Sequence, residues 1–182
     1  MDLRVQRTRN SIVNAFIELR AKKELEKITV KELADLAMIN KATFYLHYKD
    51  IYDLSDQLEN EIISSVLEKV MFVEGLVDDP YKLNYEIFRS FILQGELVNI
   101  VFSGNRMGIF VNKLEYEMKD LLYQRYPKWK ESDEMNILLS LLIQGSFHSY
   151  LNNKNRDMNT LMHTIAKITE HVFSFISTEL ID

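Results

Sequence analysis

TVKELADLAMINKATFYLHYKD, residues 29–50, decides the reading of this chain, because it holds two short helical patterns with almost no linker between them. Val30, Leu33, Ala34 and Ala37 fall at i, i+3, i+4 and i+7, one apolar stripe along a helix. Thr29 stands just before the stripe and Glu32 three residues on, the S/T-x-x-E pattern of a capping box. A second pattern begins at Asn40, a residue suited to an N-cap, and sets Phe44 and Tyr48 four apart on a face that can pack inward. Only Met38, Ile39 and Asn40 remain for the turn. Helices joined so closely cross steeply and the second is pushed outward, the geometry by which a helix-turn-helix enters a major groove. Its outward residues are then Lys41, Ala42, Thr43, Tyr45 and His47, followed by Lys49. Thr and Ala suit base edges or a thymine methyl, whereas Lys, Tyr and His reach phosphates or acceptors. The same stretch also reads as a pair of ordinary packed helices. The order of the outward residues, more than any one of them, argues for the first reading.

The run KATFYLHYKD, residues 41–50, resembles the recognition helix of the tetracycline-repressor (TetR) family of transcriptional regulators, whose pattern is roughly K-x-T-[FL]-Y-x-[HY]-[FY]-x-[SDN]-K. Thr29-Val30, Glu32-Leu33-Ala34 and Ala37 are similar to that family's second helix. The resemblance implies a homodimeric, DNA-binding transcriptional regulator, expected to be a repressor, contacting DNA through Thr29, Lys41, Ala42, Thr43, Tyr45, His47 and Lys49. It also implies two recognition helices on a partly palindromic double-stranded operator, and a helical body that binds a small-molecule effector. Two positions depart from the pattern. Met38 stands where the family usually has Gly, so the turn must be made without a residue that takes positive φ cheaply. Ile51 stands where a second Lys often follows the Asp, which leaves Lys49 as the phosphate contact.

Composition places this stretch in an all-α chain. Of 182 residues 47% are apolar, and only 5 Gly and 2 Pro are present, which argues against strands and turns. The expected organisation is a three-helix helix-turn-helix head (1–50), a connecting helix (51–72), and a helical-bundle body for ligand binding and dimerisation (73–182). With no cysteine, disulfides and thiolate metal sites are excluded. The start, MDLRVQRTRN, lacks a signal-peptide core, and the longest apolar run, around Ser140, is far too short to span a bilayer. A cytoplasmic protein with no membrane partner is the expectation. Net charge is −5, but it is uneven: residues 1–50 hold 10 Lys and Arg against 7 Asp and Glu, and the remainder hold 12 against 20. A basic head on an acidic body suits a protein that docks DNA with one end.

In chain order, Ile12, Ala15, Phe16 and Leu19 predict a first helix over residues 4–22, and Arg4, Arg7 and Arg9 ahead of the stripe read equally as contacts to a phosphate or minor groove and as a solvated, frayed terminus. Asp50 caps a fourth helix to about residue 70, and Gly75, Asp78, Asp79 and Pro80 mark the break before the body. Helices follow over 81–93, 96–102, 106–126, 132–151 and 157–180, with Asn152 to Asn155 as the turn of a terminal antiparallel hairpin. That hairpin is more apolar than one buried face requires, so two copies are expected to meet through it about a two-fold axis.

No catalytic or cofactor motif is present: there is no G-x-S-x-G, H-E-x-x-H, P-loop or G-x-G-x-x-G, and neither an enzyme nor a cofactor is expected. His148, His163 and His171 lie in the terminal helices at spacings unsuited to one compact metal site. Phe88, Phe91, Phe110, Phe147 and His148 are the candidate ligand-binding residues of the body, with Gln94, Gln144 or His148 as polar anchors, although aromatics at helical spacing also serve as core. Two other readings compete with the regulator: a co-regulator that binds a protein partner without specific DNA binding, and a small helical enzyme or carrier of an apolar ligand.

Overall fold

The computed structural model describes residues 3–71 and 79–180, and in these the chain is all-helical. The helices are α1 (Leu3–Arg20), α2 (Val30–Leu36), α3 (Lys41–Tyr45), α4 (Ile51–Met71), α5 (Pro80–Leu93), α6 (Gly95–Val101), α7 (Met107–Arg125), α8 (Asp133–Asn153) and α9 (Met158–Leu180). Short 3-10 turns precede α2, α7 and α8. The expected break at residues 73–78, and the side chains of Val70 and Ile176, lie outside the described residues.

Helix starts follow local chemistry. Thr29, Asn40, Asp79 and Ser132 each accept a hydrogen bond from the backbone N–H three residues on, at α2, α3, α5 and α8, which satisfies a donor that the first turn leaves orphaned. At α5 Pro80 follows the cap directly, where its fixed φ and missing N–H cost nothing. The terminal turn falls later than the sequence suggests: α8 runs to Asn153, and Asp157 receives the Thr160 N–H at 2.9 Å to start α9.

The chain forms two compact units. The first comprises Met1–Ile62 with Gly95–Met107, and the second Ile63–Gln94 with Gly108–Asp182. This division differs from the boundaries expected at residues 50 and 72: it cuts α4 part-way and assigns α6 to the amino-terminal unit. Long-range polar bonds lie within the first unit. The buried Arg20 guanidinium donates to Val101 O at 3.1 Å and to Ser103 Oγ at 2.7 Å, and Arg106 pairs with the buried Glu59, which also accepts from Ser55 Oγ at 2.9 Å. Ile12, Phe16, Leu33, Phe44 and Leu54 make the apolar centre of this unit.

In the second unit α5 and α8 pack on α9. Phe88, Phe91, Phe110, Phe147 and Tyr150 form one aromatic cluster, with Phe91 edge-on to Phe147 at 4.8 Å and Phe110 tilted against it at 5.2 Å. A polar seam joins α7 to α8: Glu115 accepts from Ser140 Oγ (2.6 Å), Gln144 Nε2 (2.8 Å) and Lys119 Nζ (2.9 Å). Burial pushes the Glu115 carboxyl up, but these three donors outweigh it and hold the group below its ordinary range.

Candidate nucleic-acid interface and ligand cavity

The turn between α2 and α3 is built on Met38. Its φ is +55°, in the left-handed region, and it is the one described non-glycine residue there. Its N–H donates to Asp35 O at 3.3 Å and that of Ile39 donates to Ala34 O at 3.0 Å, the paired 5→2 and 6→1 bonds of a Schellman ending. Glycine normally fills that position because it has no Cβ to clash. Met38 fills it with its side chain 94% exposed, so no burial compensates the backbone. The capping box expected ahead of it forms by half: Thr29 Oγ1 accepts the Glu32 N–H at 3.3 Å, but the Glu32 carboxylate is held by Lys23 Nζ at 2.5 and 2.6 Å.

From that turn α3 starts on Asn40, whose Oδ1 accepts from Thr43 N at 2.7 Å and from Thr43 Oγ1 at 2.9 Å. Phe44 and Tyr48 are buried, Phe44 completely, which fixes the roll of the helix. Burial pushes the Tyr48 phenol up, against the pull of the nearby Arg9 charge. The opposite side is left to solvent. Lys41, Ala42 and Lys49 are exposed, Tyr45 is 56% and Leu46 84% exposed, and Thr43 and His47 are half-buried. Thr29 is exposed at the start of α2. Asp50 and Asp53 then hold the exit: Asp53 N donates to Asp50 Oδ1 and Lys49 N to Asp53 Oδ2, both at 2.8 Å, and this backbone bond from Lys49 keeps the Asp53 carboxyl below its usual range.

Arg4, Arg7 and Arg9 do not form an extended arm, because α1 already begins at Leu3. Arg9 is instead ion-paired with Glu61 on α4, a bond that raises its guanidinium pKa further.

The second unit holds a cavity of about 70 Å³ between α5, α7, α8 and α9. Of the five aromatic and histidine candidates, Phe88 and Phe147 line it. Phe91 and Phe110 are packed in the aromatic cluster away from its lining, and His148 is exposed. Gln94 donates to Ser65 Oγ and Gln144 to Asn112 and Glu115, so neither anchors this cavity. The polar groups that do line it are Asn84, Ser146 and Thr169. Sequence reading passed over them, although each interrupts an apolar stripe on its own helix: Asn84 between Leu83 and Ile87, Ser146 beside Phe147, Thr169 after Ile165. Asn84 Nδ2 donates to both hydroxyls, at 3.2 and 3.3 Å, while its Oδ1 is buried with no protein partner. Leaving such an atom unmatched costs about 1–3 kcal/mol.

No family model and no curated protein matches the chain. The three terminal histidines do not converge: His163 stacks on Tyr85 at 4.8 Å and bonds the Tyr81 hydroxyl, and His171 Nδ1 lies 2.7 Å from Lys167 O. Among the described residues no cluster of three or more His, Cys, Asp or Glu is placed to hold a metal, and no helix is long and apolar enough to cross a membrane.

A groove on the outer face of α8 and α9 carries exposed apolar side chains. Leu141, 61% exposed, and Ile168, 58% exposed, stand on its two walls, with Gly145, Ser149 and Thr164 between them leaving room for close approach. Ile137 and Phe175 extend the same apolar character along the two helices.

Proposed function

We propose that this chain is a cytoplasmic, homodimeric DNA-binding transcriptional regulator of the TetR type, acting as a repressor, whose amino-terminal helix-turn-helix reads a partly palindromic operator. The observation that carries the reading is the orientation of α3. With Phe44 and Tyr48 turned inward, Lys41, Ala42 and Tyr45 are exposed on the five-residue helix and Lys49 is exposed just beyond its end. Helices presented in this way place side chains against base edges in a major groove, with lysines at the flanking phosphates. The groove between α8 and α9 supports a second copy docking through the terminal hairpin, as expected for a two-fold dimer. A small-molecule effector bound in the second unit would set DNA affinity.

Fluorescence anisotropy of the full chain with short inverted-repeat duplexes selected from a random pool tests this reading. Affinity should fall steeply with salt, because lysine–phosphate contacts release counterions. Association that is indifferent to salt, or confined to no sequence, refutes it.

The exposure of Leu46 and Met38 favours one competing account, in which the same head meets a protein partner. Retention of a defined protein partner by a chain that binds no duplex is the outcome that selects it.

A further inference from the structure

We propose that the cavity of the second unit takes a neutral, mostly apolar molecule of about one ring carrying a single hydroxyl, a phenol or a cyclic alcohol, and that Asn84 is its anchor. The assignment rests on the effector part of the function proposed above and names the ligand class.

The walls are apolar and aromatic: Phe88, Phe147, Trp129 and Phe173, closed by Leu139 and Met118. Among the described residues no charged side chain lines the cavity, so a carboxylate or ammonium entering it would be buried without a counter-charge. The polar groups form one small triad. Asn84 Nδ2 donates one hydrogen to Ser146 Oγ at 3.2 Å and the other to Thr169 Oγ1 at 3.3 Å, and the two hydroxyls lie 3.1 Å apart. One hydroxyl proton closes the contact between the pair, which leaves the other free to donate. Asn84 Oδ1 is left free to accept. A free acceptor beside a free donor is what a hydroxyl matches, since it does both.

Size narrows the class further. A volume of about 70 Å³ is well below the about 150 Å³ at which an apolar protein cavity takes up benzene. One ring is therefore the upper limit that the walls can widen to admit, and a polycyclic ligand does not fit.

Isothermal titration of the full chain with phenol, cyclohexanol, benzene and benzoate tests the proposal in the absence of DNA. Phenol and cyclohexanol should bind the wild type at least about tenfold more tightly than benzene, and benzoate should not bind. Asn84→Leu should abolish that preference for hydroxyl over hydrocarbon while retaining benzene, and Thr169→Val should reduce it, with unchanged circular dichroism in both. Equal affinity for phenol and benzene, failure of phenol to bind, or an undiminished preference in both variants overturns the proposal. Operator affinity is read separately. Phenol binding without any change in operator affinity supports the cavity assignment and counts against its use as an effector site, whereas operator binding by a chain that ignores phenol overturns the cavity assignment and leaves the regulator standing.

Discussion

Replacing Met38 by glycine should stabilise the protein. The residue sits at φ +55° with its side chain 94% exposed, so the substitution removes a backbone clash and forfeits almost no buried surface. A non-glycine residue in the left-handed region costs about 1–2 kcal/mol. Glycine returns about 0.4–1 kcal/mol of that to the unfolded chain as extra conformational entropy. The balance is a gain of about 0.8 kcal/mol, or a Tm rise of about 3–6 °C for a unit of under a hundred residues. Differential scanning calorimetry of the full chain measures it, with Met38→Ala as the control, since alanine keeps the Cβ and should leave Tm nearly unchanged. A glycine variant less stable than both wild type and the alanine variant would show that Met38 is not held at positive φ, and the account of the turn would be wrong.

Three further outcomes follow from other parts of the structure. Lys49→Ala should weaken binding to all duplexes about equally and flatten the slope of log K against log salt by about 0.9 per lost phosphate contact, about 1.8 for a dimer; an unchanged slope in anisotropy titrations removes Lys49 from the interface. Glu115→Gln should cost about 1–2 kcal/mol in urea unfolding at pH 7, because Ser140, Gln144 and Lys119 all donate to the carboxylate. As the folded Glu115 pKa is depressed, that stabilisation is fully present above the ordinary glutamate value of about 4.3 and is lost as pH falls through the folded value, so the difference between wild type and variant should narrow in acid; a gap that widens there contradicts the direction of the shift. Leu141→Asp with Ile168→Asp should yield a folded monomer in sedimentation velocity, since both side chains are exposed within one chain; a dimer that survives both moves the interface elsewhere.

How much could be read beforehand depends on the range of the interaction. The α2–α3 stretch was legible because its determinants are local: Thr29 and Asn40 cap within three residues, and the spacing of Phe44 and Tyr48 alone fixes which side of α3 faces inward. The departure at Met38 was legible as a substitution for glycine, and the structure adds that Met38 itself takes the left-handed conformation. The membership of α6 in the amino-terminal unit was not legible, because Arg20 reaches Val101 and Ser103 across more than eighty residues and no periodicity encodes such a bond. The pairing of Arg9 was not legible for the same reason: its partner, Glu61, lies on another helix. In the second unit the aromatic residues were visible but their division was not. Phe88 and Phe147 line the cavity while Phe91 and Phe110 fill the cluster beside it, a distinction set by helix packing. Asn84, Ser146 and Thr169 left a usable trace, a polar residue inside an apolar stripe on three helices at once, and that trace lies in sequence pattern even though its convergence does not.

The most direct test of the central claim is selection of duplexes from a random pool by the full-length protein, run in parallel with a Thr43→Val, Tyr45→Ala variant. The account predicts that the wild type enriches one partly palindromic sequence and that the variant, folded alike, enriches a different sequence or a degenerate one. Enrichment of the same sequence by both, or of none by the wild type, would contradict it.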